Sequence, residues 1–117
     1  MNGFQGPRRL HVNGVAMWAP HLPGWERARV ILSGGEAAPT APATRPSPEL
    51  LPPNERRRAP DTVAVALEVA LAACRNADLE PAALSCVFGS THGDLAITDY
   101  MCSTLASAPA QLSPTRF

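Results

Sequence analysis

Apolar residues at Val63, Ala66, Leu67, Ala70, Leu71 and Cys74 lie three and four positions apart, the repeat of one helical face. They predict a helix over 61–77, with Asp61, directly after Pro60, as its N-cap. Val65, Val69, Ala72 and Ala73 carry apolarity round much of the remaining circumference, which predicts a helix packed between layers and buried on most sides. Two other stretches change period. Val12, Val15, Met17 and Trp18, around Gly14, predict a strand over 10–18 with a bulge or a close backbone approach, ended by Pro20 and Pro23. Cys86, Val87 and Phe88 form a short continuous apolar run bounded by turn residues, the signature of a buried parallel strand. Asp94 or Thr91 can cap a following helix whose face carries Ile97, Tyr100, Met101 and Leu105. Residues 25–32 fit a short helix or an extended segment, and 78–84 read as a connector containing Pro81.

Residues 33–60 break the pattern. They hold Gly34–Gly35, seven prolines from Pro39 onward, and no hydrophobic periodicity beyond Leu50–Leu51. Proline removes a backbone donor and holds its predecessor extended, so 33–60 is expected to be a long Pro-rich surface loop, mobile in its first half. Arg56, Arg57 and Arg58 close it. They read as solvated arginines ahead of a helix or, alternatively, as an anion contact. Strand, long loop, helix, strand, helix gives an α/β class.

Composition tempers the picture. The chain has 117 residues and is 45% hydrophobic, but twenty of those residues are Ala, against twelve Leu, seven Val and two Ile. A buried Leu or Val contributes roughly 1.5–3 kcal/mol and a buried Ala much less, so the available core is thin. Ten basic residues balance ten acidic ones, and every basic residue is Arg. The absence of Lys excludes a Lys Schiff base and a phosphate-loop Lys, and the zero net charge argues against a dedicated nucleic-acid binder. No signal peptide or membrane span is legible: His11, Asn13 and Gly14 interrupt the stretch after Arg8–Arg9.

No catalytic, metal-binding or cofactor-binding constellation stands out. Cys74, Cys86 and Cys102 lack metal-ligand spacing and sit in apolar stretches, as reduced structural thiols do. An active thiolate needs a partly exposed, electropositive site, and neither Cys86 nor Cys102 has one in its sequence neighbourhood. The segment from Gly89 to Asp94 matches neither a Walker loop nor a dinucleotide fingerprint, so its glycines read as a tight strand-to-helix turn. His92, with Asp94 and Asp99, is better read as a turn histidine than as a metal ligand. Ser90 lacks a nucleophile elbow.

Several ordered segments together resemble the β-ketoacyl synthase-like N-terminal family, thiolase-like condensing enzymes of the aryl-polyene and pigment-pathway type. The segments are 10–18 with Pro20, the Ala-rich helix leading to Val87-Phe88-Gly89, the run from Leu51 to Arg58, the turn from Gly89 to Leu95, and the loop from Ser113 to Phe117. They cover most of the chain outside the Pro-rich insert. The resemblance implies that 1–117 is a partial domain, the incomplete N-terminal portion of a thiolase-like fold. It implies condensation of an acyl thioester with a malonyl-carrier protein in fatty-acid or polyketide-type assembly. The family's nucleophilic Cys lies beyond the matching segment, and its two later His find no counterpart here, so no catalytic residue carries over.

What the resemblance leaves is an N-terminal part of a ketosynthase or chain-length-factor subunit, truncated before its chemistry, inactive alone and cytoplasmic. An acyl carrier protein and a partner ketosynthase subunit are its implied partners, and the complete protein is expected as a homo- or heterodimer. Arg56, Arg57 and Arg58 then become a carrier-protein contact, and Thr98 and Met101 a subunit or acyl-chain contact. The isolated chain is expected to be marginally stable, and dimeric, aggregated or partly unfolded. A non-enzymatic interaction fragment or broken gene product is the alternative. A small nucleotide-binding α/β domain ranks third for want of a phosphate motif.

Overall fold

The computed structural model describes residues 6–113. Four helices carry its regular structure: α1, Trp25–Leu32; α2, Pro53–Arg58; α3, Asp61–Asn76; and α4, Leu95–Ser107. Two 3-10 turns follow Glu80 and Ala108. The chain divides into two compact units, one of residues 6–43 with Val69–Leu84, the other of Thr44–Glu68 with 85–113. The residues of α3 are shared between them, changing unit after Glu68.

In the first unit, α1 starts after Gly24 and fully buries Ala28. Its C-terminus closes by two backbone bonds, Gly34 N–H to the Ile31 carbonyl and Gly35 N–H to the Val30 carbonyl. That closure needs a left-handed residue, and Gly34 supplies it at φ 81°. The second half of α3 ends the same way: Asp78 N–H donates to Arg75 and Leu79 N–H to Cys74. Here the left-handed position holds Asp78, at φ 55°. An L-residue with a Cβ is disfavoured there, Asp less than most. Asp78→Gly is therefore expected to stabilise the unit by about 0.5–1 kcal/mol, read as a higher urea midpoint at unchanged slope. Residues 10–18 run beside this helix end. The Asn76 side-chain amide donates to the Val15 carbonyl at 2.8 Å. Gly14 lies so close that a Cβ there would fall on the Ala73 carbonyl oxygen and 2.9 Å from the Ala77 Cβ.

The second unit is organised by short polar ties. Arg45 donates to the Asp61 carboxylate at 2.5 Å and also to the Ala59 carbonyl. Pro46 and Pro48 are buried beside it. Pro53 opens α2, where its missing N–H is no loss. In α3, the Pro60 carbonyl accepts the Ala64 N–H, so Pro60 occupies the cap and Asp61 is the first helical residue. Asp94 is the N-cap of α4, its side chain accepting the Ile97 N–H at 3.0 Å.

The α/β expectation is not shown by the described residues: they form helices, and the sole β-pairing among them is an isolated bridge between Ala19 and Leu22. Residues 10–18 are irregular, with Leu10 92% exposed, and the run at Cys86 to Phe88 is irregular, with Val87 98% exposed. The physical reason is that a strand is defined by a partner's hydrogen bonds, and β-propensity measures how well a side chain fits a pleated, half-buried surface. Without that surface the propensity has nothing to act on. The burial expected for 61–77 is also too generous. Ala64 and Leu71 are buried, but Val63 is exposed and most of the remaining apolar side chains are half-buried. Residues 33–60 are irregular up to Pro52 and then form α2, which Arg56–Arg58 complete. The expected turn and loop at Ser113 to Phe117 falls, after Ser113, outside the described residues.

Candidate functional site

Two of the places that the sequence singled out, both in the second unit, carry grouped polar side chains. The first is α2 with the residues before it. Its helix N-terminus follows Pro52, with Glu55 in the first turn and the three arginines in the last, where cations complement the helix dipole. The three arginines are not equivalent. Arg56 is half-buried and turns back on the chain, its Nε and Nη2 donating to the Leu51 carbonyl at 3.2 and 2.9 Å and Nη2 reaching the Glu49 carbonyl at 3.5 Å. Arg57 is exposed and donates to the Asn54 side-chain oxygen at 2.5 Å. Arg58 is exposed, and its guanidinium has no hydrogen bond or ion pair among the described residues. Sequence reading placed all three as one group; the structure separates a structural arginine from two outward ones.

The second place is the turn into α4. The Asp94 carboxylate accepts the Ile97 N–H and, at 3.2 Å, the Thr62 hydroxyl. The Ser90 hydroxyl accepts the Gly93 N–H at 2.9 Å, which folds the turn onto itself. An Asp at the cap makes this helix start unwelcoming to a phosphate, because its charge already fills the positive end of the helix. His92 is exposed on this turn. Among the described residues no group of three or more His, Cys, Asp or Glu is placed to hold a metal. Asp94→Ala is expected to cost about 1 kcal/mol, from loss of the cap and of the Thr62 tie, measured by urea unfolding followed by helical signal.

Along α4, Ile97, Tyr100 and Met101 are half-buried, while Leu95, Thr98, Cys102 and Leu105 are exposed. Thr98, one turn before half-buried Met101, is itself exposed, and its hydroxyl donates to the Asp94 carbonyl at 3.0 Å. The cysteines are dispersed over different local structures: Cys74 half-buried in α3, Cys86 exposed on the irregular run, Cys102 exposed within α4. Sequence reading missed Arg45, whose bonds to Asp61 and Ala59 join the Pro-rich run to the start of α3. The only hint was an Arg between prolines upstream of an acidic helix start. It also missed Thr62 as the second ligand of the Asp94 carboxylate, a contact between residues 32 apart that no local pattern encodes.

A family model described as the β-ketoacyl synthase N-terminal domain matches residues 25–117. No match emerges with a curated protein or with a solved structure. Among the described residues, no helix is long and apolar enough to cross a membrane.

Proposed function

The chain belongs to the β-ketoacyl synthase N-terminal domain family, and from that premise we propose that it is the N-terminal part of a ketosynthase-like or chain-length-factor-like subunit. Its pathway is fatty-acid or polyketide assembly of the aryl-polyene type. It works in the cytoplasm beside an acyl carrier protein and a partner ketosynthase subunit, and contributes architecture and docking surface without condensing acyl groups itself. The match over 25–117 carries this reading. The dispersal of Cys74, Cys86 and Cys102 supports the non-catalytic role: two lie in helix interiors and the third on an irregular exposed run, none at a helix N-terminus, where a thiolate is stabilised. Family membership also implies a thiolase-like fold, in which the run at Cys86 to Phe88 would gain the sheet partners that the described residues do not offer it. Its exposed apolar side chains support that placement.

The test is reconstitution. The chain mixed with acyl- and malonyl-carrier protein should release no carbon dioxide above background, and should co-purify with carrier protein or with a co-expressed ketosynthase. Turnover by the chain alone that is lost in Cys86→Ala or Cys102→Ala would overturn the non-catalytic role. Failure to associate with either partner would favour the second reading, a fragment without a place in condensation, which the extensive exposure of Leu10, Val87 and Phe88 also fits.

A further inference from the structure

Asn13 and Gly14 stand together on the segment that runs beside the end of α3. We infer that this pair is a self-deamidation site, and that its conversion to isoaspartate releases residues 10–18 from the helix.

Three observations carry it. First, the electrophile is free. Asn13 is exposed, and its side-chain amide has no hydrogen bond among the described residues. Second, the nucleophile is free. Residues 10–18 are irregular, so the Gly14 nitrogen is tied into neither a helix nor a ladder, and it has no hydrogen bond among the described residues. Gly14 has no side chain to block the Asn13 carboxamide, and glycine reaches backbone angles that other residues seldom adopt. Third, the other described asparagines are restrained. Asn54 lies in α2, with Glu55 after it, and its side-chain oxygen accepts from Arg57. Asn76 ends α3 and donates its side-chain amide to the Val15 carbonyl, while the next nitrogen, of Ala77, is bonded to the Ala73 carbonyl.

The chemistry balances with water alone. The Gly14 nitrogen attacks Asn13 Cγ and sheds its proton, the Cγ–Nδ2 bond breaks, and ammonia leaves. A five-membered succinimide remains, and water opens it. Cleavage of the bond just formed yields an aspartate. Cleavage of the original peptide bond yields isoaspartate, whose backbone runs through Cγ. That product adds a methylene to the backbone directly before Gly14, where Ala73 and Ala77 leave no room even for a Cβ. It also sets a carboxylate beside the C-terminal end of α3, where the helix dipole is negative and Asp78 follows. Both changes oppose the close approach of Gly14 and the 2.8 Å bond from Asn76 to the Val15 carbonyl.

The experiment ages the full chain and its Asn13→Gln variant in warm, mildly alkaline buffer. Mass spectrometry with fragmentation that separates aspartate from isoaspartate follows each asparagine. Amide exchange is read on fresh and aged samples. Asn13 should convert at least about tenfold faster than Asn54 or Asn76, because its backbone alone is free to close the ring. The converted chain should lose protection across 73–79. Asn13→Gln, whose ring would need one more atom, should match the parent when fresh and keep its protection after ageing. Asn2–Gly3, the same dipeptide outside the described residues, is still present in that variant and is thereby controlled for. Conversion of Asn13 no faster than that of Asn54 or Asn76 would overturn the site. Unchanged exchange in the converted chain, or equal loss of protection in aged Asn13→Gln, would overturn the release.

Discussion

Replacing Gly14 by Ala should be among the most damaging single changes in the chain, costing about 1–3 kcal/mol. The added methyl would fall on the Ala73 carbonyl oxygen and crowd the Ala77 Cβ. Neither neighbour can yield cheaply. The carbonyl belongs to the helix backbone and accepts the Ala77 N–H at 3.1 Å, and moving it would open the last turn of α3. The same shift would lengthen the 2.8 Å bond between Asn76 and the Val15 carbonyl. The effect should therefore extend beyond one contact and release residues 10–18 from the helix end. Amide exchange resolved by peptide is the sharpest measurement, with loss of protection expected across 73–79. Gly89→Ala is the control, since a Cβ there meets no atom within 4 Å and should leave exchange unaltered. Equal tolerance of both substitutions would show that Gly14 does not approach α3 so closely in solution.

Leu71→Asp should be at least as costly. Leu71 is 9% exposed and, among the described residues, is the largest of the buried hydrophobic side chains, the others being Ala28 and Ala64. Losing its burial removes about 2 kcal/mol of apolar contribution, and placing a carboxylate there adds a desolvation cost of similar or larger size. With so little core in reserve, the substitution should abolish cooperative unfolding and not merely shift its midpoint. Val87→Asp is the informative partner. From the sequence, Val87 is the centre of a buried strand and its replacement by Asp should be ruinous. In the structure Val87 is 98% exposed, so the variant should melt within about 0.5 kcal/mol of the parent. A ruinous Val87→Asp would mean that this run is covered in solution, as a sheet partner would cover it.

The sequence by itself determined α3 and the start of α4, while α1 stayed open between helix and extended segment and α2 was read as loop. The three- and four-residue spacing of Val63 to Cys74 yields α3, and Asp94 before an apolar run yields the cap of α4, because helical hydrogen bonds and caps are local and are written within a few residues. The β-ketoacyl synthase family, too, was legible in the segments that fall within the matched residues 25–117, though 10–18 lies outside that match. The strands were not, because pairing is non-local: Val12 to Trp18 and Cys86 to Phe88 have strand composition, yet their state depends on whether another segment offers a ladder. The extent of burial around α3 was likewise undecided by its periodicity, which names the apolar face but not what covers it. Only the tertiary structure could divide the arginines, since Arg56, Arg57 and Arg58 are chemically identical neighbours. What separates them is the direction in which the α2 turn points each guanidinium, inward to the Leu51 carbonyl or outward to solvent.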